Sequence, residues 1–142
     1  MNRIEKAEEL SNQGLNCSQA ILTVYGSSFG IDPEKAKQLG RPFGGGMGRL
    51  ALTCGALTGA VMVLGLAKDL PVEAEARELS YGKVRELFQR FEARHGTTLC
   101  KGLLGADLST EEGRQKAKED KLVGKVCPGL VREVCELLDL LI

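Results

Sequence analysis

From Leu50 to Ala67 the chain runs 18 residues without a charged side chain, bracketed by Arg49 and Lys68. Nothing on such a segment favours water, and its length touches the lower limit for a membrane span. Gly55, Gly59 and Gly65 dilute its hydrophobicity, however, and the segments on either side each carry one apolar face that needs a cover. A helix apolar all round is what the centre of a bundle requires. The sequence therefore predicts a buried central helix over about residues 50–67, and no membrane span.

The remaining segments carry helical punctuation, and none alternates as a strand does. Residues 2–13 set Ile4, Ala7 and Leu10 on one side and stop at Gly14, in the position a helix end reserves for glycine. Asn16-Cys17-Ser18 opens a second helix with Ala20, Ile21, Val24 and Tyr25 inward. Asp32-Pro33 joins an N-cap to a proline at the first helical position, and Gly40 ends that piece. Pro71 begins the longest helix, to about Arg94, with Val72, Ala76, Leu79, Val84, Leu87, Phe88 and Phe91 as its apolar stripe and Gly96 beyond its end. Cys100 starts a brief turn through Leu104. Ser109 and Glu112 have the form of a capping box, and Cys127-Pro128 starts the last helix, with Leu130, Val131, Val134, Leu137, Leu138 and Leu141 inward. The expected fold is all-α, a single-domain multi-helix bundle over residues 1–142. A domain of this size buries roughly 68–70% of its unfolded surface without a metal or disulfide staple.

Charge narrows the function. Lysine plus arginine and aspartate plus glutamate stand at 19 each, which supplies no basic stripe for a phosphate backbone, so nucleic acid is not an expected partner. The opening Met1-Asn2-Arg3-Ile4-Glu5-Lys6 lacks the apolar stretch of a secretory signal. The expectation is a cytoplasmic protein, in a compartment where spaced cysteines more often mean metal or redox chemistry than structural disulfides.

Cys17, Cys54, Cys100 and Cys127 all fall where a helix is expected to start. Unpaired N–H groups there favour the thiolate and lower a cysteine pKa from about 8.5 to roughly 3.5–7.5. Their gaps of 36, 45 and 26 residues contain no two-residue spacing of a zinc ribbon or thioredoxin site. Antiparallel helices with short loops bring such starts together, and four thiolates then surround a metal or an iron–sulfur cluster. Iron–sulfur or zinc suits soft thiolates better than magnesium or calcium does. Against this stands cysteine's habit of filling core as a small hydrophobe.

The neighbours of these cysteines divide the same way. Gly55 and Gly59, four apart, clear one helix face for a cofactor or another backbone, or for tight packing across a dimer axis. The loop Gly44-Gly45-Gly46-Met47-Gly48 has no following Lys-Ser or Lys-Thr, no G-x-G-x-x-G and no preceding strand, so it reads as a flexible cover near Cys54 rather than a phosphate cradle. His95 is either a cation at a helix end or a ligand or proton donor beside Cys100. As the sole histidine it is the one base available to a hydrolase, a poor basis for that activity. Cys135, about 80° round the helix from Cys127, is expected in the core.

The string Cys54-Gly55-Ala56-Leu57-Thr58-Gly59, with the glycine loop before it and Cys17, Cys100 and Cys127 around it, resembles the redox-active family named for a C_GCAxxG_C_C pattern. The resemblance runs from Cys17 into the last helix. It maps the family's four cysteines onto Cys17, Cys54, Cys100 and Cys127 and leaves Cys135 extra. That family is similar to part of the split-Soret cytochromes, which implies an iron–sulfur cluster as prosthetic group. A covalent c-type haem is not implied, because the chain has no Cys-x-x-Cys-His. The expected function is electron transfer with a redox protein partner, rather than stand-alone catalysis, on a cluster held by the four thiolates; zinc or no metal is the alternative. A thiol–disulfide carrier or sensor comes second. A helical interaction module with passive thiols, dimerising through the glycine face, comes third.

Overall fold

Asn2, Asn16 and Asp32 each accept the N–H three residues on, and each starts a helix at the next residue. These are α1 (Arg3–Asn12), α2 (Cys17–Gly26) and α3 (Pro33–Gly40). Gln19 returns the bond to the Asn16 N–H and completes a capping box. The structure, a computed structural model, describes residues 1–142, continuing with α4 (Gly55–Ala67), α5 (Glu73–His95), α6 (Cys100–Leu104), α7 (Glu111–Glu119) and α8 (Leu122–Leu141). The only strand-like pairing is an isolated antiparallel bridge between Thr53 and Leu99. The fold is an all-α multi-helix one, as the sequence predicts.

α4 lies at the centre against α2, α5 and α8. Its Ala56, Leu57, Ala60, Val63 and Leu64 are fully buried with Ile21, Leu22, Tyr25, Leu87, Phe91, Val131, Val134 and Leu138. The central helix is shorter than the uncharged run. It starts at Gly55 rather than near Leu50, because Arg49 and Ala51 adopt left-handed φ of 61° and Thr53 is committed to the bridge with Leu99. No helix is long and apolar enough to cross a membrane.

The glycine face of α4 is filled by α2 of the same chain. A Cβ at Gly59 would stand 3.0 Å from the Ser18 Cα, and one at Gly55 would meet the Cys17 Cβ at 3.4 Å. The Ser18 hydroxyl donates to the Gly55 carbonyl at 2.6 Å and lies 2.9 Å from the Thr58 hydroxyl. Gly55 and Gly59 thus let α2 pack closely on α4 within the chain, and Gly55 also borders a cavity shared with Cys17 and Cys54.

Three other boundaries differ from expectation. α5 begins at Glu73, after Val72, and its first half runs past the core, leaving Val72 and Leu79 exposed while Ala76, Leu87 and Phe91 are buried. Thr110 rather than Ser109 caps α7, since the Ser109 N–H and hydroxyl are both taken by the Asp107 carboxylate. α8 starts at Leu122, five residues before Cys127, so Pro128 sits inside the helix. A proline there leaves the Gly124 carbonyl without its helical donor. The apolar face from Leu130 to Leu141, almost wholly buried, holds the helix together regardless.

Candidate functional site

Each of the four cysteines is delivered by a different helix. Cys17 is the first residue of α2, Cys54 the N-cap of α4, Cys100 the first residue of α6, and Cys127 lies in the second turn of α8. The bridge fixes two of them relative to each other: the Cys54 N–H donates to the Thr98 carbonyl at 2.9 Å and the Cys100 N–H to the Leu52 carbonyl at 2.6 Å. Side chains alternate across such a pair, so Cys54 and Cys100 share the face opposite Thr53 and Leu99.

All four thiols line one cavity of about 80 Å³, closed otherwise by Gly45, Gly46 and a largely apolar wall that includes Leu104, Leu108 and Leu130. At roughly 30 Å³ per water, this volume has room for about two or three waters or a group of a few heavy atoms. The glycine loop forms one wall and is far from slack. Gly45, Gly46, Met47, Gly48 and Arg49 all have positive φ, a left-handed winding that L residues resist. The N–H groups of residues 47 to 52 donate back to carbonyls of residues 42 to 47. Those donors are spent, which removes them from any phosphate cradle and makes the loop a bonded wall rather than a flexible cover. Gly46 touches the site directly, for a Cβ there would fall 2.8 Å from the Cys100 Cβ.

Burial dominates the electrostatics. Cys54 and Cys100 are each pushed up to about 11, mainly by desolvation; the N–H groups of Ala56 and Leu57 pull Cys54 the other way and lose. Cys17 rises well above the ordinary thiol range, first through its hydrogen bond with Cys127 and then through burial. Cys127 alone is lowered, by that same partner, against its own desolvation. The general depression expected from helix starts is therefore corrected: Cys127 is not at a helix start, and its lowering comes from Cys17. A checkable consequence concerns alkylation by iodoacetamide near neutral pH, mapped by mass spectrometry. Cys127 reacts ahead of Cys54 and Cys100, and Cys17→Ala slows it by removing the donor that stabilises its thiolate.

A family described as "Putative redox-active protein (C_GCAxxG_C_C)" matches residues 15–141. The chain belongs to this family. No curated protein and no solved structure matches it. In this C_GCAxxG_C_C protein the matched span begins just before Cys17 and ends in α8, so it includes every element that brings a thiol to the cavity.

Gly55 lines the cavity as well, whereas His95 and Cys135 lie elsewhere. His95 Nε2 is 2.6 Å from Glu133 Oε2 and its ring sits 4.4 Å from that of Phe91, so it ties α5 to α8 and does not line the cavity. Cys135 is fully buried in the core, its pKa pushed up to about 12 by burial. No three His, Cys, Asp or Glu side chains gather as ligands of a single metal ion.

Proposed function

We propose that this C_GCAxxG_C_C protein is an electron carrier whose Cys17, Cys54, Cys100 and Cys127 hold an iron–sulfur cluster. The observation that carries the reading is the meeting of four thiols, from four helices, at one cavity with a largely apolar wall. Soft thiolates suit an iron–sulfur cluster or zinc, and no three of these side chains gather as ligands of a single metal ion.

A cluster bound here supplies one-electron chemistry, and coordination would deprotonate thiols whose burial otherwise keeps them neutral. The chain's part is positioning and exclusion of water. The Thr53–Leu99 bridge sets Cys54 and Cys100, the Asn16 capping box sets Cys17, and Leu104, Leu108 and Leu130 line the chamber. The test is anaerobic reconstitution with iron and sulfide. The expected result is visible charge-transfer absorption that bleaches with dithionite; a colourless protein with stoichiometric zinc would overturn the proposal.

Cys17 and Cys127 line the same cavity and shift each other's titration in opposite directions, which favours a second reading, a dithiol carrier. The half-buried Cys127 thiolate attacks a partner disulfide, forming a mixed disulfide and expelling one partner thiolate. Cys17, deprotonated as it attacks, then forms the Cys17–Cys127 bond and releases the partner as a dithiol, so two electrons pass to the partner. Peptide mapping after mild oxidation would show the loss of two protons at this pair.

A further inference from the structure

The thiol cavity and two open grooves of about 470 and 480 Å³ share Leu108 and the exposed Val123 in their walls, and Arg49 lines both grooves. Around them stand Arg41, Arg49, Arg114, Lys118 and Lys121, all exposed, and no aspartate or glutamate lines either groove. In a chain with equal numbers of acids and bases this segregation is local. Elsewhere several cations are matched, Arg3 with Asp139, Lys37 with Glu34, Arg90 with Glu86, Arg94 with Glu133 and Arg132 with Glu8, while others such as Arg77 and Arg85 stand singly. Of the five at the grooves, Arg114 donates to the Leu108 carbonyl, and none forms an ion pair with a carboxylate.

We propose that this face docks an acidic electron-transfer protein over the mouth of the thiol cavity, with Arg41, Arg49, Arg114, Lys118 and Lys121 as the charged rim and the exposed Val123, above the buried Leu108, as the apolar centre. The inference rests on the redox reading above and names the chemistry of its partner. Five cations spread over two shallow grooves enclose no small anion, whereas they match a broad acidic surface. Electron-transfer encounters are small, weak and short-lived, with less than about 1,200 Å² buried, and unpaired charges at the rim raise the association rate by roughly 10–10³-fold. A five-cation rim around an apolar centre is the arrangement such an encounter uses.

The probe is a fluorescently labelled acidic plant-type [2Fe–2S] ferredoxin, its binding followed by anisotropy at low and high salt. The wild-type protein is expected to bind at low salt and lose the complex as screening rises. R49E/K118E/K121E should weaken binding at least about tenfold, while R77E/R85E, on exposed unpaired arginines of α5, should not. Should the triple variant fail a circular-dichroism check of folding, K118E/K121E takes its place. Carbodiimide cross-linking should join the ferredoxin to Lys118 and Lys121. Equal binding by the charge-reversed variant, cross-links at Lys35 or Lys83 instead, or saturable binding of pyrophosphate with no ferredoxin complex would each overturn the proposal. Anisotropy and cross-linking require no electron to move, so the docking face stands or falls separately from the cluster.

Discussion

Cys54→Ser is expected to leave the chain folded and strip it of iron and sulfide after anaerobic reconstitution, whereas Cys135→Ala keeps both. Cys54 is the N-cap of α4 and makes no capping hydrogen bond. Serine is a preferred N-cap, worth about 0.5–2 kcal/mol over a poor one, so the substitution does not cost the helix its start. It does replace a soft sulfur by a hard oxygen at a site whose affinity depends on thiolates. Loss of an outer-shell partner typically lowers metal affinity 10–100-fold, and loss of a ligand should exceed that. The same outcome is expected at Cys17, Cys100 and Cys127, read as iron and acid-labile sulfide per chain, with thermal unfolding as the check on folding. Full cofactor content in Cys54→Ser would remove that thiol from the set.

The second large effect is expected from Gly46→Ala. An L residue at its φ of 70° costs about 1–2 kcal/mol, and the new Cβ would lie 2.5 Å from the Leu52 nitrogen and 2.8 Å from the Cys100 Cβ. Overpacking of this kind adds about 1–3 kcal/mol. The sum, about 2–5 kcal/mol, corresponds to a fall in Tm of roughly 4–20 °C for a domain of this size. Gly48→Ala is the control, because Gly48 has a φ of 58° but open space where its Cβ would go. Only the left-handed backbone then matters, and the cost should stay near about 1–2 kcal/mol. Equal losses in the two variants would show that the loop does not press on Cys100.

Much of the bundle was legible because local chemistry settled it. The caps at Asn16 and Asp32, Pro33 at the start of α3, Gly96 beyond α5 and the turn from Cys100 to Leu104 each follow from residues within a few positions. Pro128 misled for the same reason. Beside Cys127 it has the look of a first helical residue, and only the tertiary burial of Leu130 to Leu141 explains why a helix continues through it. The left-handed winding from Gly45 to Arg49 could not be read at Met47 and Arg49, residue types that normally avoid it. At the site, the order of cysteines singled out the four residues that line one cavity, yet the pairing of Cys17 with Cys127 spans 110 positions and has no local signature. The basic rim was equally hidden, being assembled from α7, the start of α8 and the loop after α3 in a chain whose charges balance.

The hydrogen-bonded pairing of Thr53 with Leu99 makes two of the thiols move as one. Cys54 and Cys100 form one fixed jaw, and Cys17 and Cys127 arrive on α2 and α8, which the Tyr25 hydroxyl ties together by donating to Asp139 at 2.7 Å. A guest should then enter and leave without either jaw coming apart, and the half-buried Cys100 and Cys127 should become trappable during chelation before the buried Cys17 and Cys54.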